Sequence, residues 1–153
     1  MKNHRAFLLL AGAIMYYLTT ESTFDSAHFL ADYNGKCRNL HGHQWRVVAK
    51  IQGLSLQKEG SSRAMVVDFS DIKKALKRLC DNLDHSLIYE TNSMKPSTIE
   101  ALKSENFRII EVPFRPTAEN FAKYFYNKMA QEGFNIKSVE VYETPTNCAI
   151  YEA

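Results

Sequence analysis

The stretch Cys37 to Trp45, CRNLHGHQW, sets two imidazoles one residue apart and a thiol four residues before the first of them. Imidazole nitrogen and thiolate are donors that suit zinc, and a catalytic zinc typically keeps three protein ligands with a fourth position open. His41 and His43 supply two such nitrogens, and His28, in FDSAHFL, is the candidate third. Cys37 has two readings at this stage. As a fourth ligand it would close the site and make it structural; as a thiol beside an open metal it would be reactive.

Two further groups carry chemistry. In LDHSLIY, Asp84 directly precedes His85, and a histidine oriented by a carboxylate is the usual proton-transfer pair. Adjacent residues of an extended segment face opposite ways, so the pair requires a bend at that point. In VYETPTNCAIY, Glu143 continues the alternating face of Val139 and Val141. A carboxylate on an apolar face needs a partner, and a ligand rich in N–H donors would be one.

The elements that must position these residues follow from periodicity. From His41 to Ile51 the odd positions are His41, His43, Trp45, Val47, Ala49 and Ile51, so a strand turns both histidines toward its apolar face. Tyr16 to Phe29, rich in Tyr, Thr and Phe, suits a preceding strand. An antiparallel neighbour brings opposed side chains within roughly 5 Å, which would carry His28 to the same spot. Asn34-Gly35 marks the connecting turn. Ser70 is the expected cap of a helix with Ile72, Ala75, Leu76, Leu79 and Leu83 as its stripe, and Thr117 that of a second helix striped by Phe121, Phe125 and Met129 and ended by Gly133. Val139 to Glu143 and Cys148 to Tyr151 are a terminal strand pair turning at Pro145. Between Asn92 and Arg115 the pattern is weak, with TIEALKSEN suiting a short helix and FRIIEV a short strand. The expected fold is α+β: a four-stranded antiparallel sheet with two helices packed on one face, in the order ββααββ.

Composition narrows the field. A chain of 153 residues, 45% hydrophobic and 24% charged, suits one soluble globular domain. A net charge of +2 without a basic run argues against nucleic acid and acidic membrane surfaces as partners. Three cysteines without tight spacing argue for a reducing compartment, and the expected location is the cytoplasm. The apolar run Ala6 to Leu18 follows basic residues as in a signal peptide, yet it is too short to span a bilayer and no small-x-small cleavage site follows. Residues 1–14 are therefore expected to be an extension ahead of a domain covering 15–153.

Taken in order, FDSAHFL, C-x3-H-G-H, VVDFSDIK, LDHSLIY, PTAENFAKYFY and YETPTNCAIY resemble the 6-pyruvoyltetrahydropterin synthase superfamily, over nearly the whole chain from Met15 to Tyr151. The three-residue gap between Cys37 and His41 is most similar to the bacterial 6-carboxy-5,6,7,8-tetrahydropterin synthase branch, which acts in the queuosine pathway. The resemblance implies the tunnelling fold, commonly assembled as a hexamer (a dimer of trimers) with active sites between subunits. It implies Zn²⁺ on His28, His41 and His43, a proton-transfer triad of Cys37, Asp84 and His85, and Glu143 as anchor of the pterin. The implied reaction turns 7,8-dihydroneopterin triphosphate into 6-carboxy-5,6,7,8-tetrahydropterin, acetaldehyde and triphosphate. Two rivals share the site residues: an enzyme that stops after eliminating triphosphate, giving 6-pyruvoyltetrahydropterin, and a non-enzymatic pterin- or zinc-binding module. A cysteine hydrolase leaves the three histidines unexplained.

Overall fold

The computed structural model describes residues 14–153, so the expectation of an N-terminal extension lies almost wholly outside the described residues. Strands β1 (Tyr16–His28) and β2 (His41–Gly53) pair antiparallel over their full length, with Tyr16 opposite Gly53 and His28 opposite His41. Their connection contains one 3-10 turn at Lys36–Arg38 and is tied at its base by Leu30 N–H donating to the Cys37 carbonyl at 2.9 Å.

Alternation splits the residues of this hairpin between two environments. Phe24, Ser26 and His28 of β1 are buried, as are Trp45, Val47, Ala49 and Ile51 of β2. Helix α1 (Phe69–Asp81) covers that face with Ile72, Ala75, Leu76 and Leu79, and a second long helix, Ala118–Gln131, covers it with Phe121, Phe125 and Met129. The first stripe repeats at three and four residues and the second at four, the spacings that gather apolar side chains on one side of a helix. Phe24 stacks on Trp45 with ring centroids 6.0 Å apart and meets Phe121 edge-on at 5.7 Å. Burying one such phenylalanine stabilises by roughly 1.5–3 kcal/mol. The cap of α1 is Asp68 rather than the expected Ser70: its carboxylate accepts from Ser70 N–H at 2.7 Å, and a charged acceptor satisfies an orphan donor better than a hydroxyl two positions on. Thr117 caps the second long helix as expected, accepting from Asn120 N–H at 3.3 Å.

The sheet departs from the expected four antiparallel strands. Among the described residues it has six, because two more form between the long helices: β3 (Ser86–Glu90) and β4 (Ile109–Val112), joined by a short helix α2 (Pro96–Ser104). The long helix Ala118–Gln131 is then α3, followed by β5 (Ile136–Thr144) and β6 (Asn147–Glu152). Strand order is β4-β3-β1-β2-β5-β6, and the chain runs ββαβαβαββ instead of ββααββ. β3 lies parallel to β1 and β4 parallel to β3, so the sheet is mixed. The cause is topological. The crossover through α2 returns the chain in its original direction, so β3 and β4 pair parallel; β3, which α1 connects to β2, runs opposite to β2 and therefore along β1. Ser86, Ile88 and Tyr89 are all buried, which erases the alternation that would have flagged β3. Helix α2 buries none of its residues and adds nothing to the core. Among the described residues no helix is long and apolar enough to cross a membrane.

Candidate active site

Register alone gathers the three histidines. His28 and His41 are opposed residues of the β1–β2 hairpin, and His43 lies two residues along on the same side. Their ring centroids stand 4.5–5.1 Å apart, and their ligand atoms fall within 4.8 Å of one another. Gly42 between them passes close to β1: a Cβ there would sit 3.3 Å from the Ser26 carbonyl oxygen, tighter than ordinary contact. That is a packing reason for the glycine in HGH.

Hydrogen bonds then aim the nitrogens. His28 Nδ1 lies 2.7 Å from the Pro116 carbonyl and His41 Nδ1 lies 2.7 Å from the Asn39 carbonyl. A carbonyl only accepts, so both Nδ1 atoms carry the proton, and a neutral ring is left with a bare lone pair on Nε2. Those two Nε2 atoms face each other at 3.1 Å. Two lone pairs at that distance repel unless a cation lies between them. His43 Nε2 is buried and has no hydrogen-bond partner among the described residues. Burial, the largest effect, holds His28 down to about 4 and lowers His43 as well, so these rings stay neutral near pH 7. Trp45 supplies the apolar floor, edge-on to His28 at 5.1 Å and to His43 at 5.3 Å. Tetrahedral nitrogen ligands at 2.0–2.1 Å from zinc stand roughly 3.3 Å apart, close to the 3.1 Å between the Nε2 atoms of His28 and His41. The donor set fits a metal ion, and the three histidines could hold one.

Cys37 is not in that donor cluster. It lies on the 3-10 turn, partly buried, and lines a cavity of ≈ 310 Å³ with Tyr33, Thr117, Glu119, Glu143 and Cys148. Cys37 thus stands outside the set of three histidines that could hold an ion. Cys80, by contrast, is fully buried and its thiol is pushed up to about 12 by burial, which leaves it inert. Glu143 points to the same cavity, with Oε1 3.7 Å from His28 Nε2 and 3.6 Å from His43 Nε2. These are beyond hydrogen-bonding range, so the carboxylate stands on the rim with its acceptors free for a ligand.

Asp84 and His85 form the expected pair, and the bend that they require is present. His85 has φ 52°, a left-handed backbone unusual for a non-glycine residue. The turn brings His85 Nδ1 to 2.7 Å from Asp84 Oδ2, while Asp84 Oδ1 accepts from Asp25 N–H at 2.7 Å. The Asp25 amide, first, and then His85 hold the Asp84 carboxyl below the usual carboxylate range; the bond to Asp84 raises His85. The pair does not border the Cys37 cavity. His85 borders a different cavity, of ≈ 470 Å³, with Asp25, Ala27, Leu87 and Ile109. Asp25 and Ala27 alternate with the buried Phe24, Ser26 and His28, so this cavity opens on the sheet face opposite the long helices. Within one chain the thiol and the Asp–His pair thus line separate cavities.

Sequence reasoning missed the groups that aim these side chains. The carbonyls of Asn39 and Pro116 and the main chain of Asp25 are backbone atoms, available at any residue type, so no composition signal marks them.

Known proteins resemble this chain in sequence and in fold. Residues 17–153 match the model of the 6-pyruvoyl tetrahydropterin synthase family. The chain is 39% identical over 141 residues to the 6-carboxy-5,6,7,8-tetrahydropterin synthase of Haemophilus influenzae, covering 90% of this chain and 99% of that one. It is 32% identical over 139 residues to the enzyme of the same name from Synechocystis sp., covering 90% and 93%. Among solved structures, 6-pyruvoyl tetrahydropterin synthase of Plasmodium falciparum superposes with a TM-score of 0.68 at 24% identity, over 91% of this chain and 98% of that one. An uncharacterized protein from Wolinella succinogenes superposes at 0.70 with 22% identity, again over 91% and 98%.

Proposed function

The chain belongs to the 6-pyruvoyl tetrahydropterin synthase family, and we propose that it is a zinc-dependent 6-carboxy-5,6,7,8-tetrahydropterin synthase of queuosine biosynthesis. It would take 7,8-dihydroneopterin triphosphate to 6-carboxy-5,6,7,8-tetrahydropterin, acetaldehyde and triphosphate. The observation that carries the proposal is the cradle of His28, His41 and His43 with Cys37 and Glu143 on the adjoining cavity. The 39% identity with the Haemophilus influenzae enzyme supports the choice of branch.

In this reading His28, His41 and His43 hold the ion, two of them with tautomers locked by the Pro116 and Asn39 carbonyls. Such partners of metal-bound histidines fix ring orientation and raise ligand basicity. Bound there, zinc supplies Lewis acidity toward the side-chain oxygens of the substrate, making the adjacent C–H more acidic. Cys37, as thiolate, takes or returns that proton. Asp84 fixes the orientation of His85 and stabilises its charged form, leaving Nε2 of His85 to exchange a proton. Glu143 accepts from the N–H edge of the pterin in charge-assisted bonds.

His85 is 79% exposed and lines a cavity apart from Cys37. A complete triad then takes Cys37 from one chain and Asp84–His85 from a neighbour, in line with the tunnelling-fold hexamer, a dimer of trimers, that the family resemblance implies. Incubation of zinc-loaded protein with dihydroneopterin triphosphate tests the activity. Acetaldehyde and the 6-carboxy product are expected. A 6-pyruvoyl product without acetaldehyde would make the protein the elimination-only enzyme, and absence of turnover would leave a binding module.

A further inference from the structure

Between β3 and β4 lies the segment whose pattern was weakest in sequence, and it delivers one side chain back to the Asp84–His85 turn. Arg108 directly precedes β4. Its Nη1 donates to the Asp84 carbonyl at 2.7 Å and its Nη2 to the Asn82 carbonyl at 2.7 Å, with both also 3.4 Å from the Asp81 carbonyl. Its own carbonyl accepts from Leu87 N–H at 2.9 Å. Head group and main chain of one residue therefore bracket positions 84–87.

We propose that Arg108 is the positioning residue of the proton-transfer pair, holding the Asp84–His85 turn in its left-handed bend so that the carboxylate meets the imidazole. The proposal rests on the reading in which Asp84 and His85 move protons. Three facts make the arginine necessary in physical terms. Helix α1 ends at Asp81; its Arg78 and Cys80 carbonyls accept from the Asn82 and Leu83 N–H groups, while the carbonyls of Asp81, Asn82 and Asp84 face Arg108 at the negative end of the helix dipole. A guanidinium fork reaches carbonyls in two directions at once, which the point charge of a lysine cannot do. The positive φ of His85 persists only where surroundings hold it. On one side the hold is Asp25, whose carbonyl accepts from His85 N–H at 2.7 Å and whose N–H donates to Asp84. On the other side it is Arg108.

The charged groups around His85 give the role a signature. Asp84 and, more weakly, Asp25 favour its protonated form, while Arg108 opposes it; on the last turn of α1, Asp81 is paired with Lys77 at 2.6 Å. If Arg108 acted only as a nearby charge, its removal would raise the His85 pKa further. If it positions the turn, its removal loosens the Asp84–His85 bond, and His85 falls toward an ordinary imidazole near 6.5.

The test uses full-length, zinc-loaded protein with ring-labelled histidine, following His85 by NMR titration with His85→Gln for assignment. For Arg108→Met the expected result is a His85 pKa below wild type, with kcat down on the order of 10- to 100-fold and zinc content unchanged. Arg108→Lys should fall between the two proteins and also guards against misfolding of the methionine variant. A His85 pKa at or above the wild-type value in both variants would overturn the proposal. Asp84→Asn separates the underlying reading: full turnover there would remove the pair from catalysis, while the titration would still report whether Arg108 holds the turn.

Discussion

The histidine cradle and the Asp84–His85 turn both lie at the C-terminal end of β1, yet they are built by opposite means. The cradle stands on the sheet face covered by the long helices: His28 is 1% exposed, its ring neutral, its tautomer locked. The turn stands on the open side, with His85 largely exposed, raised rather than lowered by its surroundings, and held by main-chain groups and by Arg108. One is finished within a single hairpin, because antiparallel register delivers three nitrogens at once. The other is a charged pair on an open cavity, a design that makes sense where a neighbouring chain supplies the rest. A dry, preorganised site suits a metal, which rewards fixed geometry. A solvated, hydrogen-bonded pair suits proton transfer, which needs a histidine able to change charge near neutral pH.

The sharpest way to break this contrast is to remove the cradle. His41→Ala/His43→Ala protein should bind no zinc above background, as read by metal analysis of purified protein, whereas His85→Ala should keep its full complement. Zinc retained in the double variant would mean that the metal, if any, lies elsewhere.

Next in size is the thiol. Cys37→Ala should keep zinc and fold while turnover falls by about 10²- to 10⁴-fold, the usual span for a lost acid or base. If the two regions meet only between chains, inactive Cys37→Ala and inactive His85→Ala proteins should regain activity when co-assembled, since roughly a quarter of the sites would pair two intact halves in a random assembly. Zinc lost along with activity in the cysteine variant would restore the closed-site reading, and no recovery on mixing would place the triad within one chain.

Glu143→Gln probes the rim of the cradle. It keeps the shape but replaces an acceptor oxygen with a donor, and a charged hydrogen bond is worth roughly 1.5–3 kcal/mol. Pterin affinity measured by calorimetry should drop about one to two orders of magnitude, with zinc content and thermal stability near wild type. Equal affinities would make Glu143 a strand-end residue only.

The smallest effects separate the two histidine environments by sign. His28 binds a proton near pH 4 when folded but near 6.5 when unfolded. Its contribution to the stability of the metal-free protein is therefore complete above about pH 6.5 and is lost as pH falls toward 4, on the order of 3 kcal/mol in all. His85, raised by Asp84, works the other way: its contribution is present below the ordinary imidazole range and is lost as pH rises through the folded value. Denaturant melts between pH 4.5 and 8 on wild type and His85→Gln should show the acid-side loss in both and the opposing neutral-range slope in wild type alone. An acid limb that stays flat would mean that His28 is not held neutral by burial.

How much of this was legible depended on the distance over which each signal acts. The odd-position run from His41 to Ile51 and the helix stripes of Ile72 to Leu79 and Phe121 to Met129 are local periodicities, and each emerged with its inward face as expected. The sequence by itself thus determined the hairpin, the two long helices and the candidate donors on them. Tertiary structure decided the remainder. It set β3 parallel beside β1 and β4 parallel beside β3, an arrangement hidden from the sequence because a buried five-residue strand shows no alternation and pairing direction depends on the path of the whole chain. It left Cys37 outside the nitrogen cluster, a matter of ångströms within a loop that spacing cannot resolve. And it chose the Pro116 and Asn39 carbonyls to aim the imidazoles and Arg108 to hold the bend, since backbone acceptors exist at every residue and only packing determines which of them a side chain meets.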